Sequence, residues 1–276
     1  MPDRPSFAAT IRLTLAAFKR HNASRFGAAL AFYVVFCIAP TLLIAIAVAG
    51  SLFGKDQAER QILERVGTSF GSATSVAIAA MIRDAATAKT GWLATALGLA
   101  SLYFGLSGVY RQIDDALRTI WKENKVRDSR TGALQKVPML LVLATGLVVL
   151  LSVIADATIA FTGARAAQRL LGGELLWHAA QLLVSTLVLT VLFATVFRSL
   201  VKPRLTWRDV RLGATVTAVL FVLGKFALGL YLGKAAVGSA FGAAGSIVVV
   251  LLWTYWSAQI FFFGLELTHV YSRKHA

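Results

Sequence analysis

Tyr255, Gln259, Phe262 and Glu266 recur at intervals of three and four near the end of the chain, so at about 100° per residue they share one narrow sector of a helix. The stretch that carries them runs from Gly245 to Val270 (GSIVVVLLWTYWSAQIFFFGLELTHV) and is long enough to cross a bilayer, which needs about 20 apolar residues. An unpaired amide or carboxylate in hydrocarbon is costly, whereas inside a helix bundle each finds a partner. The stripe is therefore expected to face protein or a wetted cavity. Lys225 and Asp156 are further ionisable groups inside long apolar stretches, where charges serve a substrate or ion pathway or pair with one another.

These residues divide by chemistry. Lys225, Tyr255 and Gln259 are candidates for binding a substrate: a cation, a phenol and an amide suit an anionic or amphipathic molecule. Asp156, Glu266 and Arg111 are candidates for structural or gating charges. Asp156 lies five residues before the end of its span at Phe161, and Lys225 lies seven before the end of its own at Leu232. At 1.5 Å per residue those depths differ by about 3 Å, which puts an Asp156–Lys225 pair within reach. Glu266 lies at the opposite membrane face, where Arg111 and Arg198 are the expected partners. Plainer roles compete with these: Lys225 can snorkel to the interface on its long stem, and helix-spaced aromatics such as Trp253 and Trp256 usually pack.

The elements that must hold these groups follow from composition. Of 276 residues, 57% are hydrophobic and 15% charged, with a mean hydropathy of +0.70. Soluble domains are nearer a quarter charged, so the chain reads as an integral membrane protein. Its net charge of +15 does not point to nucleic acid, because the Lys and Arg lie between apolar stretches rather than on a basic surface with interleaved aromatics.

Six apolar stretches read as transmembrane helices: Gly27–Phe53, Gly91–Tyr110, Val137–Phe161, Leu175–Phe197, Gly213–Leu232 and Gly245–Leu267. Pro40 falls inside the first and predicts a kink, tolerable where a neighbour satisfies the freed carbonyl. Before the first span, residues 1–26 place Phe7, Ile11, Leu15 and Phe18 at helical spacing beside Arg12, Lys19 and Arg20, the pattern of an amphipathic helix at the headgroups. The connection 54–90 carries Ile62, Leu63, Val66 and Phe70 beside Glu59, Arg60, Glu64 and Arg65, then a shorter apolar run from Val76 to Ile82. Neither run is long enough to span. Both are expected to lie along one membrane face, and residues 268–276 form a short tail. The whole, 1–276, reads as one all-α, polytopic membrane domain: six transmembrane helices plus amphipathic interfacial helices.

Orientation follows from charge. Lys and Arg number 19 on the side of the termini and 8 on the other, which puts both termini in the cytoplasm. The apolar stretch after the basic N-terminal segment is too long for a signal-peptide core and lacks a small-residue cleavage site, so it is expected to stay as an anchor. The single cysteine, Cys37, excludes an intramolecular disulfide. Gly229-Leu-Tyr-Leu-Gly233 matches a close-packing pattern for membrane helices and leaves a homo-oligomer open.

Catalytic patterns are missing. His21, His178, His269 and His275 are scattered without metal-ligand spacing, and the sequence has neither a phosphate-binding Gly-rich loop nor a nucleophile elbow. No enzyme activity, metal or cofactor is expected from the residues. Membrane lipids are the expected surroundings, with an anionic or amphipathic substrate as the expected partner.

Several stretches together resemble the YihY/BrkB family of bacterial inner-membrane proteins: Ala28–Pro40 (AALAFYVVFCIAP), Asp115–Trp121 (DALRTIW), the region from Trp207 to Lys225, and the FGAAGSIVVVLLWTYWSAQIFFFGLEL ending. The resemblance covers nearly the whole chain and implies an inner-membrane, multi-pass protein. By that similarity Pro40, Lys225, Gly242, Trp253, Tyr255 and Glu266 fall on characteristic positions, while Gly264-Leu265-Glu266 departs from the more usual Gly-Ala-Glu. The family has carried a ribonuclease BN label, which this sequence argues against because a metal-dependent nuclease needs a histidine and carboxylate cluster that it lacks. A virulence label describes a phenotype rather than a chemistry. Taken together, the expectation is a transporter or flippase-like protein for an envelope-related substrate, with a non-transporting envelope scaffold as the alternative.

Overall fold

A computed structural model describes residues 7–70, 75–76, 78–80, 82–83, 92–121, 173–201, 205–234 and 245–273. Every regular element among them is an α-helix: α1 (Phe7–Arg20), α2 (Ala23–Phe53), α3 (Lys55–Phe70), α4 (Trp92–Trp121), α5 (Gly173–Leu200), α6 (Trp207–Lys234) and α7 (Gly245–Ser272). Three carry segments long and apolar enough to cross a bilayer, Leu182–Leu200, Trp207–Leu228 and Val248–Ser272, and α2 adds a shorter apolar segment, Ala23–Ile38. The described helices thus supply three candidate spans against the six expected. The expected third span, Val137–Phe161, lies outside the described residues, and with it Asp156.

Helix ends follow local chemistry. α1 closes with Lys19 and Arg20 in its last turn, where cations complement the helix dipole. His21 N–H still donates to Ala17 O at 2.9 Å, and Asn22 then turns the chain at φ 51°, a left-handed conformation that asparagine tolerates better than most side chains. Arg25 N–H donates to Asn22 O at 2.9 Å and starts α2. At the head of α6, Thr206 N–H and Oγ1 donate to Asp209 Oδ2 at 2.9 and 2.6 Å, while Asp209 N–H donates to Thr206 O at 3.1 Å. This is one half of a capping box: the Asp209 carboxylate satisfies the Thr206 amide, while the Asp209 amide goes to the Thr206 carbonyl.

Pro40 lies inside α2, which stays helical on both sides of it. Proline has no N–H, so the carbonyl four residues earlier, Phe36 O, loses its intrahelical donor. Ser101 on α4 supplies one, its hydroxyl donating to Phe36 O at 3.0 Å. The same α2–α4 crossing is close, because a side chain at Gly105 or Gly108 would run into Tyr33 or Cys37. Phe32, Tyr33, Phe36 and Phe104 form an edge-to-face aromatic group around it, with centroids 5.1–5.6 Å apart.

Contacts cluster into two compact units. One comprises Met1–His21, Leu117–Val222 and Phe261–Ala276. Its core is built from Phe197, Val210, Ala214, Thr217, Phe262, Leu265 and Leu267, all 0% exposed. Here α6 and α7 run antiparallel and interlock through two glycine–threonine pairs. A Cβ at Gly213 would strike Thr268 and lie 2.9 Å from Gly264 O; a Cβ at Gly264 would strike Thr217. Each threonine hydroxyl donates to its own helix, Thr217 to Gly213 O at 2.6 Å and Thr268 to Gly264 O at 2.8 Å, so no buried hydroxyl proton is left over. The other unit comprises Asn22–Ala116 and Leu223–Ile260. In it Leu228 and Val249 pack with Leu252 and Trp253, and the amphipathic α3 lays Ile62 and Leu63 on Ile78 and Ile82.

A buried carboxylate–imidazole pair

The stripe on α7 points inward, as its spacing predicts. Phe262 and Glu266 are wholly buried, and Tyr255 and Gln259 are half-buried. Glu266 does not meet an arginine. Its Oε1 lies 2.6 Å from Nδ1 of His21, whose side chain is 7% exposed. Burying an ion normally costs several kcal/mol, and a close partner of opposite charge offsets it. The arginines expected as partners are engaged elsewhere: Arg111 is exposed and its Nε donates to Ser107 O in its own helix at 3.3 Å, and the Arg198 guanidinium sits 4.7 Å over the Trp207 ring.

The pair exists because α1 docks on α7. Thr10, Thr14, Ala17 and His21 repeat at intervals of four, three and four, and all are buried. They are small or polar, which lets the helices approach; Thr14 Oγ1 donates to Thr10 O at 2.9 Å. Phe18 adds a tilted contact with Phe263, centroids 6.2 Å apart. Leu13 and Leu15 on α1 remain about half exposed, at 50% and 48%. One turn beyond Glu266, the imidazole of His269 packs on the Trp121 ring at 5.0 Å. Glu266 Oε2 and His21 Nε2 are buried without a hydrogen-bond partner among the described residues.

The remaining candidates lie in the second unit. Gln259 Nε2 donates to Ser24 O at 3.1 Å, tying α7 to the first turn of α2. Gly27 makes room for that amide. Tyr255 lies one turn before Gln259 on the same face. Lys225 is half-buried on α6, about 27 Å along the axis from Trp207, and its Nζ lies 5.8 Å from the ring centroid of Phe226, itself 54% exposed. Among the described residues no carboxylate lies within ion-pair distance of it. Gly224, next to it, receives the Trp256 indole, whose Nε1 would be 2.6 Å from a Cβ there.

His21 escaped the sequence reading because a histidine beside a basic helix end looks like a headgroup residue. The usable signal was the small and polar stripe Thr10, Thr14, Ala17, His21, a helix-packing pattern rather than an amphipathic one.

A family model described as virulence factor BrkB matches residues 14–276. Similar curated proteins include UPF0761 membrane proteins of two strains of Stenotrophomonas maltophilia, each 26% identical over 236 residues, 83% of this chain and 52% of the relative. The chain thus spans about half the length of those relatives. No solved structure matches.

Proposed function

Because the chain belongs to the virulence factor BrkB family of membrane proteins, we propose that it is a transporter or flippase-like protein for an amphipathic or anionic envelope-related substrate. The observation that carries this reading is Lys225: a cation in an apolar helix, half-buried, beside the exposed Phe226 and without a carboxylate partner among the described residues. A group placed there meets an anionic headgroup arriving from the bilayer, and charges inside spans are costly enough that they mark pathways or pairs. The reading takes six spans, an inner-membrane location and cytoplasmic termini, supported by the 19 to 8 division of Lys and Arg. It includes no catalytic step.

The test is movement of headgroup-labelled phospholipids in proteoliposomes holding the full chain. Anionic lipid should cross faster than in empty vesicles, Lys225→Ala should slow it about tenfold, the worth of one charged hydrogen bond, and Lys225→Arg should keep most of it. Folded Lys225→Ala protein that moves every lipid as fast as the parent refutes the part given to Lys225. The interlocked packing of Gly213, Thr217, Gly264 and Thr268 favours the second reading, a non-transporting scaffold, for which no lipid or anion would move in any vesicle.

A further inference from the structure

We infer that His21 and Glu266 form a buried proton-binding site, and that taking up a proton there releases α1 from α7. The geometry carries it. Nδ1 and Oε1 are 2.6 Å apart, so a proton is held between them, and the pair is neutral as a unit when the ring also carries its second hydrogen. The pair is shut off from solvent, Glu266 0% and His21 8% exposed, so any net charge on it is disfavoured. Neutrality puts the second ring hydrogen on His21 Nε2, so the position left open to a further proton is Glu266 Oε2, which has no hydrogen-bond partner among the described residues. A carboxylate oxygen without a donor is where the next proton from solvent binds.

Adding that proton changes what holds the helices together. The carboxylate becomes a neutral acid, the imidazolium loses its counter-charge, and the pocket acquires a net positive charge. Arg20, on α1 and close enough for its charge to act on Glu266, adds to the repulsion. His269, further along α7, is another titratable group, its ring tilted against Trp121 of α4. The elements packed on this end of α7 from the remaining sides present Phe197 of α5 and Gly213 and Thr217 of α6, none of them titratable. The docked stripe of α1 is otherwise small and polar, Thr10, Thr14 and Ala17, so among the described residues the pair is its one ionisable tie to α7. The site offers a transporter its coupling proton, yet it does not depend on the transport reading.

The test is made on the full chain in lipid nanodiscs and needs no substrate. Infrared difference spectra across a pH titration should show a protonated-carboxyl band that grows on acidification and is absent in Glu266→Gln. Backbone amide exchange should accelerate over residues 10–21 in the same pH interval, by tenfold or more, while α6 stays protected. In His21→Gln, which removes the imidazolium but leaves the acid, α1 should exchange rapidly at every pH. A carboxyl band that persists in Glu266→Gln overturns the site, as does its absence from the parent protein. Exchange over residues 10–21 that ignores pH, or that is as slow in His21→Gln as in the parent, overturns the release. Where Glu266→Gln does not fold, the carboxyl band of the parent protein and its shift in His21→Gln decide the site, and exchange in His21→Gln decides the release.

Discussion

Replacing Gly264 by alanine sets two known effects against each other at one atom. An alanine in place of glycine inside a helix favours folding by about 0.5–1 kcal/mol through chain entropy. At Gly264 the new Cβ would fall on Thr217 Oγ1 and lie 3.0 Å from both Thr217 Cβ and Phe197 Cζ. Thr217 and Phe197 are each 0% exposed, so neither has free space to enter. Overpacking of this kind costs about 1–3 kcal/mol, and rotating Thr217 away surrenders its bond to Gly213 O, about 1 kcal/mol more. Gly264→Ala should therefore be destabilising by a net ~1–3 kcal/mol. At roughly 2–4 °C per kcal/mol for a chain of this size, the detergent-solubilised protein should lose roughly 2–12 °C in Tm, read by size-exclusion after heating. Gly98 supplies the control. It is also helical, but nothing lies within 4 Å of a Cβ there, so Gly98→Ala should hold or raise Tm. Thr217→Ala in the Gly264→Ala background should restore part of the loss and fail additivity. If Gly264→Ala and Gly98→Ala move Tm alike, the close crossing of α6 and α7 is wrong.

Other outcomes follow from single bonds. Ser101→Ala leaves Phe36 O without its donor and should cost about 0.5–1.5 kcal/mol in thermal stability, an effect that Pro40→Ala should cancel by restoring the backbone donor. Gly27→Ala pushes the Gln259 amide off Ser24 O; Gln259→Leu should cost a similar amount, about 1 kcal/mol, and the double variant should cost less than the sum. Asp209→Ala removes the acceptor at the head of α6 and should lower stability by about 0.5–2 kcal/mol, measured by the same melting assay.

What could be read from the sequence was what hydrophobic periodicity encodes. The stripe on α7 put Phe262 and Glu266 inward, and both are fully buried. The run from Lys55 to Phe70 reads as an amphipathic helix and is one. Pro40 predicted a carbonyl in need of a neighbour, and Ser101 is that neighbour. Partner identity was beyond such reasoning. His21 and Glu266 stand 245 residues apart, and matching by charge and depth selects arginines, which are commoner at helix ends. Periodicity marked Phe7, Ile11, Leu15 and Phe18 of α1 for the headgroups and gave no sign that a stripe of small and polar side chains on the same helix docks. The close crossing was missed for a related reason. Gly229 and Gly233 match the familiar spacing of two glycines, whereas the contact uses Gly213 and Gly264, each followed one turn later by a threonine that bonds back to it. Small polar residues pack membrane helices without adding to hydrophobic contrast.

The bond from Ser101 to Phe36 O binds two distant positions into one unit of inheritance. A lineage that exchanges Pro40 for another residue regains the backbone donor within α2, and selection on the hydroxyl at position 101 then relaxes. A lineage that loses the hydroxyl while retaining the proline carries an orphaned carbonyl in a membrane, where water is scarce. Substitutions at the two sites should accordingly arise in a fixed order, proline first and serine second, and sequences with the proline but no hydroxyl or other donor at position 101 should be rare.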